Sequence, residues 1–314
     1  MPELPEVTAL AAFLDGRLAG ATVDRVYVTS IHALKTADPA YTELVGRRVE
    51  AVGRRGKYVV LTFAPASADS LDPAHSPGSP EGTSADDGGG RLLVVVHLAL
   101  GGWVRVNDKL PDPAPARGKG YTAARFGFVR GEETTGVDLT EAGTWKRLAV
   151  WIVRKLEDVP PIAELGPEPL EDEFTLEKFR SLLNKRQQIK GLLRNQKIIA
   201  GIGNAYSDEI LHVAKLSPFA VASALDDEET SRLYAALRET LEGATAEAIG
   251  RPPEDLKDEK RASMRVHRRT GEACPVCGDT IREVTFSDSA LQYCPTCQTG
   301  GKILADRTTS KFLK

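Results

Sequence analysis

All four cysteines of this 314-residue chain fall in one short stretch, "CPVCGDTIREVTFSDSALQYCPTC". Cys274 and Cys277 form one C-x2-C pair, and Cys294 and Cys297 form a second, sixteen residues later. That spacing fits a zinc ribbon: each pair turns two thiolates toward one point, and a hairpin made from "TIREVTF" and "ALQY" brings the points together. Four sulfurs close a tetrahedral site and leave no place for water, so the expectation is one structural Zn2+. The N-terminus has no basic stretch followed by an apolar core, which favours metal over disulfides. A ribbon alone leaves function open, because such fingers bind nucleic acid, protein or nothing.

The rest of the chain changes period twice. Residues 7–18 place Val7, Leu10, Ala11, Leu14 and Leu18 on one helical face, with Gly16 and Gly20 bracketing the helix end. From Thr22 to about Val153 short β-rich runs follow, "TVDRVYV", "RVEAVGRRGKYVVLTF", "RLLVVVHLAL", "WVRVN", "RFGFVR" and "RLAVWIVRKL". Separated by Gly and Pro, they predict an antiparallel sandwich or barrel. Residues 64–90 interrupt it with Ser, Ala, Pro, Gly and Asp and are read as a disordered loop. "VPPIAELGPEPLEDEF" (159–174) is a proline-rich, acidic boundary, beyond which the pattern turns helical. The expected fold is α+β and multidomain: a β domain over 1–158, a helical domain over 159–270, a finger over 271–300 and a basic tail over 301–314. No run of 18 apolar residues occurs, so no membrane span is expected.

The formal net charge is −3, yet the bases are clustered. "GRRVEAVGRRGK" (46–57) carries five bases and one acid, and "NKRQQIKGLLRNQK" (184–197) five bases and no acid. From Lys257 onward eleven Lys/Arg stand against seven Asp/Glu. Three such clusters on an acidic chain point to a surface that tracks phosphates. "GIGNAYSDEIL" (201–211) adds two glycines and Asn204 ahead of a helix, a turn able to offer peptide N–H groups to an anion.

The chain begins "MPELPEV". Once Met1 is removed, Pro2 has a free secondary amine with a pKa near ~8, well below that of lysine and therefore more nucleophilic at neutral pH. Such an amine attacks a sugar C1′, expels the base and forms an iminium that acidifies the C2′ proton. Glu3 is placed to move protons, and Glu6 to position the turn. Composition alone also allows a plainer reading, in which Pro2 and Pro5 start a helix and the glutamates are its first-turn acids.

"PELPEV", "RRGKY", "LGPEPL", "GIGNAYSDEIL" and the C-x2-C…C-x2-C-Q finger occur here in this order. Together they resemble the formamidopyrimidine-DNA glycosylase / endonuclease VIII family of bifunctional base-excision repair enzymes, from Pro2 to Gln298. The resemblance implies an N-terminal β-sandwich with an N-terminal helix, a helix–two-turn–helix domain and a zinc finger. It implies Pro2 as nucleophile, Glu3 as its acid/base partner, Glu6 as a supporting carboxylate and Lys57 as a phosphate-contacting lysine. Asn204 and Lys190 are implied to bind the DNA backbone, and Leu100, Arg125 and Phe126 to fill the gap left by a flipped nucleotide. The implied reaction is base excision followed by β- or β,δ-elimination on damaged duplex DNA, by a monomer in the bacterial cytosol.

Two departures stand out. Leu100 replaces the Met often found in the wedge, and Ser289 falls about where well-known members carry a finger Arg. Lys302, Arg307 or Lys311 of the tail are the candidates to supply that charge. The missing Arg motivates an alternative, a family member that binds lesions or abasic sites without cutting efficiently; a zinc-ribbon protein partnering RNA or protein is a third reading.

Overall fold

The computed structural model describes residues 1–65, 90–110, 114–115, 120–142, 146–286 and 289–305. Residues 66–89, most of the expected loop, and 306–314, with Arg307, lie outside the described residues. The chain forms two units. One comprises Met1–Pro2, Val7–Ala163 and Gly250–Glu254, the other Glu3–Glu6, Glu164–Ile249 and Asp255–Lys314.

The first helix, α1 (Leu4–Leu18), starts three residues earlier than its apolar spacing suggests. Pro5 costs nothing in a first turn, where its missing N–H has no partner anyway. Glu6 then closes the end, its carboxylate accepting the Glu3 N–H at 2.7 Å.

The first unit is a sandwich of two antiparallel four-stranded sheets. One has the order β1 (Thr22–Val28), β6 (Thr122–Arg130), β7 (Glu133–Glu141), β5 (Gly102–Asn107). The other runs β2 (Val49–Arg55), β3 (Tyr58–Phe63), β4 (Leu92–His97), β8 (Ala149–Val153). Alternation turns Val59, Leu61, Val94 and Val96 of one sheet toward Val104, Phe126, Phe128, Val137 and Leu139 of the other, with Leu14 of α1 joining them. The expected sandwich is present: the six β-rich runs supply seven strands, the second run folding as both β2 and β3, and β7 is the eighth. β7, "ETTGVDLTE", is hidden by its Gly and acids, and it is central because buried Asp138 has a partner across the sheet.

A short helix, α2 (Pro160–Ala163), closes the main segment of this unit. The second unit holds α3 (Leu176–Leu182), α4 (Ile189–Arg194), α5 (Asn204–Val213), α6 (Asp227–Ala248) and α7 (Leu256–Ser263). Its core gathers Phe174, Phe179, Leu192, Ile199, Ile210, Leu233 and Leu237, with Leu4 among them. The 22-residue α6 is started by a reciprocal Asp226–Glu229 capping box. The finger follows as the hairpin β9 (Arg282–Thr285) and β10 (Ala290–Tyr293), then α8 (Pro295–Thr299). Among the described residues no helix is long and apolar enough to cross a membrane.

Candidate active site

The start of α5 is an anion site already occupied by the chain itself. The peptide N–H groups of Gly203, Ala205 and Tyr206 donate to the Glu3 carboxylate at 2.5, 3.0 and 3.4 Å. The "GIGN" turn does offer its N–H groups to an anion, and that anion is the Glu3 carboxylate: the helix terminus favours a negative charge, and Glu3 supplies it. Glycine at 203 lets Glu3 sit there, because a Cβ would lie 2.5 Å from the Glu3 carboxyl carbon and push it away. Gly201, at φ +87°, accepts the Leu4 N–H at 3.0 Å and so fixes the neighbouring backbone.

Glu6 lies beside Glu3 with its oxygens divided. Oε1 accepts the Tyr206 hydroxyl at 2.6 Å, and Oε2 accepts the Glu3 N–H and the Lys260 ammonium, each at 2.7 Å. Burial and the neighbouring carboxylates push the Tyr206 phenol far up, so it stays a donor. Neither Tyr206 nor Lys260 stood out in the sequence. Tyr206 lies within the quoted "GIGNAYSDEIL", whereas Lys260 sits in a charged run with no distinguishing signal.

Lys190 is not at the surface. Its ammonium donates to Asp208 at 2.6 Å, the Ser207 hydroxyl at 2.7 Å and the Asn204 carbonyl at 3.1 Å. Burial lowers its pKa against the opposing pull of Asp208. The expectation of a DNA-contacting Lys190 is corrected accordingly: α4 turns it inward because α5 carries a buried carboxylate that needs a counter-charge. The other Asp208 oxygen meets His267 Nδ1 at 2.8 Å, and Glu209 accepts the N–H groups of Arg265, Val266 and His267. Asn204 donates its Nδ2 to the Ala290 carbonyl at 2.8 Å, while its Oδ1 is buried without a hydrogen-bond partner. Its amide thus reaches the finger hairpin.

In the first unit Pro2 is buried and Met1 partly exposed. Lys57, also buried, follows Gly56 in the turn between β2 and β3. Burial, with the Lys57 charge adding to it, lowers His97 to about 4, so its imidazole is neutral at pH 7. Leu100 stands out of the β4–β5 turn at 70% exposure. Arg125 and Phe126 do not: they are strand residues of β6, 8% and 5% exposed. Phe126 faces the sandwich interior, and Arg125 makes a two-pronged pair with Asp138, Nε to Oδ1 at 2.6 Å and Nη2 to Oδ2 at 2.8 Å. The expectation that both enter the duplex is corrected: "RFGF" is buried because it is a central strand. Of the three expected gap-filling side chains, Leu100 alone is presented to solvent.

In the finger the four cysteine sulfurs all lie within 4.8 Å of one another. Burial pushes the Cys294 thiol up to about 11 and raises Cys297 as well, so without a metal both stay protonated at neutral pH, and a bound dication would be what holds them as thiolates. Cys274, Cys277, Cys294 and Cys297 are the ligands of one structural zinc. His212 of α5 places Nε2 3.3 Å from the Cys274 sulfur, and Gln298 donates to the Leu216 carbonyl at 3.0 Å. These contacts tie the finger to α5 within its unit.

Family models match three stretches: the formamidopyrimidine-DNA glycosylase N-terminal domain over residues 1–145, the H2TH domain of the same enzymes over 165–251, and a zinc finger found in FPG and IleRS over 271–300. An uncharacterized formamidopyrimidine-DNA glycosylase-like protein of Mycobacterium tuberculosis is 52% identical over 155 residues, 49% of this chain and 98% of that protein. The formamidopyrimidine-DNA glycosylase of Pelotomaculum thermopropionicum is 32% identical, covering 95% of this chain and 99% of the relative. Lactococcus lactis Fpg, solved in complex with DNA containing an abasic site, shares the fold with a TM-score of 0.75 at 24% identity, covering 95% of this chain and 99% of that one. The chain belongs to the formamidopyrimidine-DNA glycosylase family of DNA repair enzymes.

Proposed function

We propose that this protein excises a damaged base from duplex DNA and then cuts the strand at the abasic site, with Pro2 as nucleophile. The observation that carries the reading is the Glu3 carboxylate, one residue from Pro2, held on three peptide N–H groups of α5. A carboxylate in that position is preorganised to move protons, and it needs no rearrangement during reaction.

Removal of Met1 is the precondition, since Pro2 nitrogen is otherwise an amide. The Pro2 lone pair then attacks C1′, the bond from C1′ to the base breaks, and the base leaves with the electron pair. The Pro2 N–H proton passes to the Glu3 carboxylate and from there to the ring oxygen as the sugar opens, leaving a C1′ iminium on Pro2, while the departing base takes a proton from water. Loss of the C2′ proton and departure of the 3′ phosphate complete β-elimination, and water releases the unsaturated aldehyde and the amine. Lys57 holds a phosphate beside the lesion, and Leu100 fills the space left by the flipped nucleotide. The zinc holds the finger's shape and takes no part in the chemistry. The reaction belongs where chromosomal DNA is found, in the bacterial cytosol.

The test is borohydride trapping on an abasic duplex, using protein whose Pro2 terminus is verified by mass spectrometry. A covalent protein–DNA adduct is the expected result. Lesion binding in a gel shift without any adduct would overturn the reading in favour of a protein that binds lesions and does not cut them.

A further inference from the structure

α7, "LKDEKRAS", is charged at five of its eight residues, and two of its side chains, four residues apart, turn inward. Leu256 is fully buried, and the Lys260 side chain is 14% exposed. Asp258 and Arg261 point to solvent at 81% and 64%. The Lys260 ammonium lies 2.7 Å from Glu6 Oε2, 3.6 Å from Glu3 Oε1 and 4.5 Å from the centre of the Tyr206 ring.

We propose that Lys260 is a positioning residue for Glu3, a fixed cation that holds the Glu3–Glu6 carboxylate pair charged and in place. This rests on the reading above, in which Glu3 moves protons for Pro2. Two carboxylates this close repel each other, and one of them would otherwise take up a proton. A cation shared between them removes that repulsion, while the aromatic face beneath it replaces water lost by the ammonium.

The other groups facing the pair are Tyr206 on α5, a donor to Glu6, and Lys190 on α4, whose charge acts on Glu3 but is bound to Asp208. Glu209 on α5 acts on the Tyr206 phenol rather than on the pair and is tied to the N–H groups of 265–267. Lys260 is therefore a cation in direct contact with both Glu3 and Glu6. Burial alone lowers a lysine, but here Glu3 and Glu6 outweigh it and the Lys260 pKa is raised, so it stays charged and is no rival nucleophile to Pro2.

The experiment is single-turnover cleavage of an abasic duplex from about pH 5 to 9 by wild type, Lys260→Met and Lys260→Arg. Losing the cation raises the pKa of Glu3, so the limb of the profile that it governs moves to higher pH by about one unit or more. Lys260→Arg brings the profile back. A Lys260→Met profile that superimposes on wild type after scaling would overturn the proposal, zinc content and thermal melting having confirmed the fold. Should Lys260→Met not fold, competitive acetylation of wild type decides. Lys260 held between carboxylates reacts at least tenfold more slowly than exposed Lys185, and equal rates sink the idea. If wild type itself gives no borohydride adduct, the Pro2 reading fails; if wild type traps and the profiles coincide, the Lys260 role alone fails.

Discussion

The sandwich interior is filled by Val59, Leu61, Val94, Phe128, Val137 and Leu139, whereas the helical unit buries Glu3, Glu6, Lys190, Asp208, Glu209 and His212 around α5. Apolar contact is non-directional, so each sandwich residue contributes by area and volume, and its neighbours can shift when it changes. The α5 groups contribute through named partners at fixed distances: Glu3 to three peptide N–H groups, Lys190 to Asp208, Glu6 to Lys260 and Tyr206. Their loss is governed by what is left behind, because a buried charge without its partner costs more than the pair contributes. The sandwich interior is thus a tolerant scaffold, and the surroundings of α5 are a set of charges whose geometry has to hold.

The largest test of this contrast is the metal. Cys294→Ser is expected to release zinc, and apparent zinc-binding free energies in small fingers are about 10–16 kcal/mol. Residues 271–300 should then lose amide protection while the sandwich strands keep theirs. Elemental analysis with residue-resolved hydrogen exchange reads both, and retained zinc or simultaneous loss of sandwich protection would break the contrast. Next comes Asp208→Asn, which strands the Lys190 ammonium in the interior at a cost of about 3–5 kcal/mol. The pH dependence has a definite sign. Burial already holds Lys190 below its ordinary 10.5. Without Asp208 the folded variant favours the neutral amine, while the unfolded chain stays protonated up to about 10.5. The unfolded state then binds more protons, so the deficit should narrow as pH rises toward that value. Urea melts at two pH values check it; a deficit that widens would contradict the pairing.

The same contrast explains what could be read from the sequence. Sandwich strands announce themselves by alternation, and "TVDRVYV" became β1 residue for residue. The cysteine spacing foretold both the hairpin and the ligand set. β7 escaped because Asp138 and Gly136 break the apolar pattern, although Asp138 is buried against Arg125. Arg125 and Phe126 were misplaced because a motif-like "RFGF" says nothing about which strand is central. At α5 the problem was deeper. Nothing local in "NKRQQIKGLLRNQK" distinguishes inward Lys190 from its exposed neighbour Lys185, and nothing in "LKDEKRAS" marks Lys260. Their partners lie 18 and 254 residues away, and a charge is buried only when such a partner exists. Glu3 and Gly203 were each noticed; that the second is glycine to admit the first appears only in three dimensions.

Gly203→Ala probes that fit at a smaller scale. Its Cβ would lie 2.5–2.8 Å from three atoms of the Glu3 carboxyl group, which must move away from the α5 N–H groups. A displacement of about 1 Å at such a site costs on the order of a hundredfold in rate. Strand cutting should fall by that order while zinc content and the melting curve of the sandwich barely change. Cutting at the wild-type rate would mean that Glu3 works without its helix seat.

The smallest effect is expected of a double variant at the charged pair of the sandwich. Asp138→Leu alone leaves the Arg125 guanidinium buried without its carboxylate, and should cost several kcal/mol, as Asp208→Asn does. Combined with Arg125→Met, the two charges are replaced by apolar side chains, and stability should return to within about 1 kcal/mol of wild type. The gap between the single and the double variant is the coupling energy. The same double variant also decides the role of "RFGF". With Arg125 8% exposed, removing its charge should leave cutting of an abasic duplex within about threefold of wild type, because the pair belongs to the scaffold. A loss of tenfold or more at unchanged stability would mean that Arg125 leaves Asp138 to enter the duplex. The sandwich would then hold a charge whose position matters for reaction, and the division between scaffold and charged site would have to be redrawn at β6.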